Sequence, residues 1–335
     1  MLRLLGIGLL ASVFFSATFV LNEQMSAQGG HWFWTASLRY FFVLLMLSAV
    51  LLAQGGLARL RALWGVFWEH PLFWTLAGSV GFGVFYALLC FSAAYASGWV
   101  VAATFQFTVV ASLIVLAAFG QPFSRQVTGA SLLVFLGVCL TNLGQPHGGE
   151  QAAQPLGQAL LYGALPALLA AFCYPLGNQL VWQAARPPGA GEAARRPAWV
   201  GWVPAITTPL LNFSLHRIWL MTLGSMPLWL ILGLLLLPSA PQQAQVFSTA
   251  LVALLSGVIA TGLFLQARGD AKTPGEVAAV DATQASEVLF ALLGGVLLLG
   301  TPLPGALAWA GLVVMLLGLA LFLQAGRPKA RAQAR

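Results

Sequence analysis

The stretch GTPLPGALAWAGLVVMLLGLAL, residues 300–321, contains no charged residue and is long enough to cross a bilayer as a helix. A helical span needs about 20 apolar residues, and the sequence contains nine more runs of this kind. Because the bilayer core offers no water to pair with backbone groups, each run must form a helix. We predict ten spans, at residues 4–24, 32–53, 71–94, 98–118, 127–144, 157–183, 209–237, 246–266, 276–299 and 304–324.

The composition is typical of a polytopic membrane protein. Of the 335 residues, 59% are hydrophobic and only 7% are charged, whereas roughly 25% are charged in a soluble domain. A soluble protein of this size cannot bury so much apolar surface and keep a polar exterior. The composition therefore argues against a nucleic-acid-binding protein, a cytosolic enzyme and a disulfide-stabilised secreted domain. The fold class that we predict is an all-α membrane protein.

The sequence gives no sign of catalytic chemistry. Cys90, Cys139 and Cys173 lie singly within apolar runs, and the four histidines are scattered without metal-ligand spacing. The motifs HExxH, GxSxG and the P-loop are absent from the sequence. We therefore predict that the protein is not an enzyme and uses no metal and no cofactor.

The placement of basic residues predicts the orientation of the chain. Nearly all of the fifteen Lys and Arg residues precede the first span or follow an even-numbered span. By the positive-inside rule, both termini, the linker 184–208 and the basic C-terminal tail are cytoplasmic. The net charge of +7 is then a topology signal and not a nucleic-acid surface. The excess of Arg over Lys and the richness in Ala, Gly and Leu favour a bacterial inner membrane.

Two parts of the chain look alike. The stretch GQPFSRQVTGASLLVFLGVCL, residues 120–140, resembles residues 300–321, and both begin with a Gly-x-Pro triplet. Upstream, Asn22 and Asn178 each end a similar short segment. We predict two five-helix repeats, residues 1–145 and 146–335. Because five is odd, the second repeat is inverted in the membrane, which is a transporter architecture with the substrate site between the halves.

Four segments resemble the ten-helix, EamA-like drug/metabolite transporter superfamily, in particular its branch of multidrug-resistance efflux transporters. They are TASLRYFFVLL at 35–45, GSVGFGVFYALLCFSAA at 78–94, AATFQFTVVASLIVL at 102–116 and QASEVLFALLGG at 284–295. The resemblance implies ten helices in two repeats and an efflux function. Two departures stand out. Gln121 and Thr301 occupy positions where many members have a Glu, and residues 4–21 lack the carboxylate that small four-helix relatives carry in their first helix.

Charged residues at membrane depth are candidates for function because each costs roughly 2.5–3.5 kcal/mol or more. Arg39 lies seven residues into the second span. We interpret it as a binding group for an anion, or as half of an ion pair with an intramembrane acid; alternatively, its side chain reaches the outer headgroups. Glu287 lies near the middle of the ninth span and is our first candidate for binding a cationic group or a coupling proton. Alternatively, Glu287 pairs with Arg39.

Further polar residues extend the predicted binding site. Thr283, Gln284 and Glu287 lie on one helical face and form a polar stripe. Asp281 is a second candidate for proton coupling or substrate binding. The remaining substrate-binding candidates are polar side chains at helix ends or deep within spans: Asn22, Asn178, Gln106, Tyr86 and Tyr174.

These features predict a secondary active transporter that exports a small organic metabolite or drug-like compound by alternating access. The combination of Arg39 and Glu287 favours a zwitterionic or mixed-charge substrate, and a hydrophobic cation is the next candidate. The expected partners are the small-molecule substrate, membrane lipids and, if transport is coupled, protons or another ion, but not nucleic acid. The sequence leaves open a monomer or a homodimer. The alternatives are a flippase for a lipid or lipid precursor and, less favoured, an integral membrane enzyme acting on lipid-linked substrates.

Overall fold

The computed structural model describes residues 1–120, 125–144, 155–186, 197–272 and 274–325. Ten of its helices are long and apolar enough to cross a membrane: α1 Leu2–Ala27, α2 Trp32–Glu69, α3 Pro71–Ser92, α4 Gly98–Ala118, α5 Gln126–Leu143, α6 Leu156–Ala185, α7 Ser214–Leu236, α8 Gln243–Asp270, α9 Ala279–Leu299 and α10 Ala306–Ala325. No β-strand occurs in these residues. The prediction of an all-α membrane protein with ten spanning helices is confirmed.

Helix α2 is much longer than its predicted span, which was expected to end at residue 53. It bends at Gly56, whose φ of 64° lies in the left-handed region that glycine adopts without strain, and continues to Glu69. Arg59 and Arg61 therefore lie on a helical extension and not in a loop. The extension is amphipathic, because it buries Leu63 while both arginines are on exposed or half-exposed positions.

The connection before α7 also differs from the prediction. The expected seventh span began at residue 209, but Pro209–Asn212 form a short 3₁₀ turn and α7 begins at Ser214. The Thr208 side chain accepts a hydrogen bond from the Leu210 amide and so fixes this turn. Within the predicted linker, Ala198–Trp202 form another 3₁₀ turn. Residues 187–196 of that linker, Gln121 and the basic tail after residue 325 lie outside the described residues.

Several spanning helices are irregular in their interiors. Helix α4 is interrupted at Gln106 and Phe107, and a 3₁₀ turn interrupts the ninth span at Gln284–Ser286. Turns of π-helix occur in four helices, at Ser79–Val84, Ala159–Ala164, Ala253–Ala260 and Gly295–Leu299. Such interruptions are frequent at functional sites. Those of α4 and α9 coincide with polar residues that the sequence singled out.

Glycines allow the helices to pack with their backbones in close contact. In α3 and α6, Gly81 faces Gly177, and in α5 and α10 Gly137 faces Met315. Small residues at such crossings let the helices pack closely, and this packing stabilises their association in a bilayer, where the hydrophobic effect between helices is missing. The close pairing of α5 with α10 is compatible with the predicted repeats, whose boundaries at residues 145 and 146 stay a prediction.

Candidate functional site

A cavity of about 700 Å³ occupies the centre of the helix bundle. Within the described residues, every spanning helix except α5 contributes to its wall. Its wall contains five charged side chains, which are Arg39, Arg217, Arg268, Asp281 and Glu287. This volume falls within the range of roughly 300–1,000 Å³ typical of small-molecule sites.

The cavity reaches one end of the bundle and is sealed at the other. At the open end, its wall includes Ser214, the first residue of α7, and Arg268, near the end of α8. At the closed end, the cavity stops at Arg39 of α2 and Phe105 of α4, each seven residues from the start of its helix. At 1.5 Å per residue, these helices continue about 10 Å beyond the cavity.

Arg39 lies at the closed end of the cavity in a half-buried position. Its Nη2 donates a hydrogen bond to Ser256 Oγ at 2.9 Å, and its guanidinium lies 4.0 Å from the centroid of the Tyr86 ring. The buried Nε has no hydrogen-bond partner within the described residues. Arg39 therefore lines the cavity without an ion-pair partner among the described residues.

Tyr86 is held rigidly beneath Arg39. The Tyr86 side chain is fully buried, and its hydroxyl lies 3.1 Å from Nδ2 of Asn22. Asn22 is itself buried and does not line the cavity, so this predicted site residue acts through Tyr86. A cation over an aromatic face is attracted by the ring quadrupole, which orients the guanidinium plane.

Glu287 lies in the wall of the same cavity and is buried. In the part of the chain that the structure describes, it has no ion pair and no hydrogen bond to its side chain. The alternative in which Glu287 pairs with Arg39 is therefore not realised. Gln106 and Gln284 also line the cavity, as predicted residues brought together from α4 and α9.

The predicted polar stripe on α9 is split. Thr283 turns away from the cavity and packs against Gly8 of α1, where the Thr283 carbonyl accepts a hydrogen bond from Ser12. Only Gln284 and Glu287 line the cavity. The 3₁₀ turn at Gln284–Ser286 separates these residues, because its tighter winding departs from the regular helical periodicity that the prediction assumed.

Asp281 is engaged by Arg268 at the open end. Arg268 Nε lies 2.9 Å from Asp281 Oδ1, and its Nη2 donates to Oδ2 at 3.2 Å. The two side chains are 46% and 33% exposed. This carboxylate already has a cationic partner near water, which makes it a weaker coupling candidate than Glu287.

We expect the Asp281→Asn substitution to lower stability only slightly, because half-exposed ion pairs contribute about 0–1 kcal/mol. The midpoint of thermal unfolding in detergent should stay within a few degrees of the wild type. Arg268→Gln should have the same small effect, and the double variant should be no worse than either single one. Aggregation of Asp281→Asn would show instead that this carboxylate organises the fold.

The two remaining predicted residues, Tyr174 and Asn178, both line the cavity. Tyr174 is exposed to the cavity, packs against Phe85 with ring centroids 5.1 Å apart, and lies within electrostatic range of Arg39, Glu287 and Arg268. Asn178 also lines the cavity, and its amide donates to the Tyr174 carbonyl at 2.9 Å.

The described residues contain no group of three His, Cys, Asp or Glu side chains that could hold a metal ion.

A buried carboxylate, Glu23, links three parts of the chain at the closed end. Glu23 Oε2 accepts a hydrogen bond from the Gly98 amide at 2.8 Å, and its Oε1 accepts from Thr301 Oγ1 at 3.1 Å. Glu23 thus joins α1 to the start of α4 and to the loop before α10. Its sequence signal is an acid four residues before the end of a spanning helix, next to Asn22.

Comparison with known proteins gives matches over most of the chain. A family profile described as "Putative multidrug resistance efflux transporter" (EmrE) matches residues 2–327. The uncharacterized protein YjlA of Bacillus subtilis (strain 168) is 35% identical over 98% of this chain and 96% of its own length. An uncharacterized 42.1 kDa protein of Shouchella clausii, from the 3′ region of an intracellular alkaline protease gene, is 32% identical over 78% of this chain and 63% of its own.

The solved structures support the fold. One crystal structure of a protein that is 14% identical superimposes with a TM-score of 0.55, covering 93% of this chain and 95% of that chain. At this identity the likeness concerns the arrangement of the helices alone.

Proposed function

The chain belongs to the family described as "Putative multidrug resistance efflux transporter", and we propose that it is a secondary transporter that exports a small organic compound through the central cavity. The observation that carries this proposal is a cavity of about 700 Å³ with charged walls, open at one end of the bundle and sealed at the other. Alternating access requires such a cavity in each half of its cycle.

The placement of charge indicates which side of the membrane the open end faces. Arg217 and Arg268 lie at the open end, and α2 carries Arg59 and Arg61 on its extension beyond the span. By the positive-inside rule this end faces the cytoplasm. Both termini then lie on that side of a bacterial inner membrane, and the cavity is in the state that takes up substrate from the cytoplasm.

The side chains of the cavity have different roles. The substrate is bound by polar side chains in a wall that also contains many apolar ones, namely Arg39, Gln106, Gln284, Tyr174 and Asn178. Glu287 accepts a coupling proton or a cationic group of the substrate, because it is the acid in the wall without a described partner. Asn22 positions Tyr86.

The test is a comparison of metabolites in the medium and in cell extracts by untargeted mass spectrometry. Cells producing the wild type should enrich at least one small organic compound in the medium. Cells producing the Arg39→Ala/Glu287→Gln variant at the same membrane level should not. The Gly262→Ala variant is the matched control, because a methyl group there meets no atom within 4 Å.

Three outcomes would contradict the proposal: no exported compound depending on the wild type, export unchanged in the double variant, or accumulation inside the cells. Accumulation inside would indicate import. A change confined to membrane lipids would indicate a flippase.

A further inference from the structure

We propose, resting on the transport function above, that the substrate carries a carboxylate that binds Arg39 and an apolar body of aromatic size that lies against the ring-lined wall. Arg39 lacks an acidic partner. Its guanidinium is hydrogen-bonded to the hydroxyl groups of Ser256 and Tyr40 and has no carboxylate within 4.0 Å among the described residues.

The charge of Arg39 lacks a counter-charge. Its Nε is buried and without an acceptor in the described part of the chain, so a ligand in the cavity reaches only the terminal nitrogens of the guanidinium. A buried charge is unfavourable unless it is paired and hydrogen-bonded. A ligand carboxylate at the terminal nitrogens would supply the missing negative charge.

The geometry favours a planar anion. The Tyr86 ring lies 4.0 Å beneath the guanidinium, and the Ser256 hydroxyl holds one of its terminal nitrogens. These contacts occupy one face and one corner of the guanidinium and fix its plane. An arginine fork held in this way matches a carboxylate through two parallel hydrogen bonds.

The other charges of the cavity also favour an anionic substrate. Arg268 is neutralised by Asp281 at the open end. Arg217, whose Nη2 donates to Ser214, lies at the same end. Among the cavity side chains that the structure describes, Arg39 and Arg217 have no acidic partner, and Glu287 is the acid without a basic partner. An anion entering from the open end therefore meets favourable charge at the mouth and again at the closed end.

One part of the cavity wall is aromatic and suits the apolar part of the substrate. Aromatic rings surround Arg39: Tyr40 stacks on Phe82 with centroids 5.4 Å apart, and Phe85 lies 5.3 Å from Phe105. All four side chains line the cavity. Aromatic walls bind flat apolar groups in edge-to-face or offset-stacked geometry.

The experiment measures binding of three isosteric probes to the purified full-length protein by isothermal titration calorimetry. The probes are 3-phenylpropionate, 3-phenylpropanamide and 3-phenylpropylamine, which share one body and differ in the charge of one end. We expect the carboxylate to bind at least tenfold more tightly than the amide or the amine. Arg39→Gln should remove this preference, and Arg39→Lys should keep part of it.

Gly262→Ala is the matched control, because Gly262 does not line the cavity and a methyl group there meets no atom within 4 Å. Carboxylate binding should keep wild-type affinity in this variant. Unfolding temperatures of all variants establish that the proteins are folded, and titration into detergent buffer without protein corrects for partition into micelles.

The proposal is overturned if the amine or the amide binds as tightly as the carboxylate, if Arg39→Gln leaves the carboxylate preference intact, or if the carboxylate does not bind at millimolar concentration. Its failure is distinguishable from failure of the transport function. An exported compound without a carboxylate would overturn this assignment and leave transport standing. Carboxylate binding without any export would overturn the transport function and leave the assignment of Arg39 standing.

Discussion

The Gly177→Ala variant is expected to lose most of its folded protein, because the new methyl group has no space. A Cβ at this position would lie 2.3 Å from the Gly81 Cα of α3, and a backbone atom cannot rotate away as a side chain can. Forcing extra volume into a packed contact costs typically 1–3 kcal/mol and sometimes more. The measurements are the monodisperse yield in gel filtration and the midpoint of thermal unfolding in detergent.

The control for this prediction is the same substitution where the space is open. Gly262 lies within α8, and a Cβ there meets nothing within 4 Å. Alanine is favoured over glycine in a helix interior by about 1 kcal/mol. Gly262→Ala should therefore match or exceed the wild type in thermal stability, whereas Gly177→Ala should fall well below it. Equal yields and unfolding temperatures for both variants would show that α3 and α6 do not pack as described.

The Glu23→Ala variant is expected to open the closed end of the cavity. The substitution leaves the Gly98 amide and the Thr301 hydroxyl without their acceptor. Hydrogen bonds to charged groups contribute about 1.5–3 kcal/mol each. The conformation that is closed at this end therefore loses a large part of its stability relative to a conformation that is open there. Transport should be impaired, because the protein can no longer keep this end of the cavity closed while the other end is open.

Labelling of a cysteine in the cavity measures this opening. Thr18 lines the cavity on α1, and Thr18→Cys is introduced after the three native cysteines are replaced by alanine. A membrane-impermeant maleimide added from the side opposite the termini should label this cysteine slowly in the parent and at least tenfold faster in Glu23→Ala. Glu23→Gln, which keeps one acceptor oxygen, should fall between them. Equal rates in all three proteins would show that Glu23 does not seal this end.

The ten spans were predictable because each is a continuous apolar run, and the bilayer imposes a fixed length on such runs. Arg39 and Glu287 were found for a related reason, since a charge inside an apolar run is visible without any knowledge of the fold. Their placement in one cavity was expected from the idea of a site between two repeats.

The partners of these residues could not be predicted. Ser256 contacts Arg39 from 217 positions away in the sequence, and it lies in an apolar run as one of many serines. The contacts of Glu23 could not be predicted either, because its position near the end of α1 does not reveal that Gly98 and Thr301 donate hydrogen bonds to it. The extension of α2 was missed because the apolar run ends where the charges begin, although the helix continues past Gly56.

The π-helical turn at Ala253–Ala260, which holds Ser256 against Arg39, gives chain length a direct influence on the shape of the cavity. A π turn accommodates one residue more than an α turn. Loss of a single residue there would return α8 to regular winding within that turn, so the residues after it, Arg268 among them, would keep the direction in which they face. The residues inside the turn, Ser256 among them, would shift relative to Arg39. The wall next to Arg39 is therefore open to change by insertion or deletion of one residue, without rearrangement of the rest of the helix.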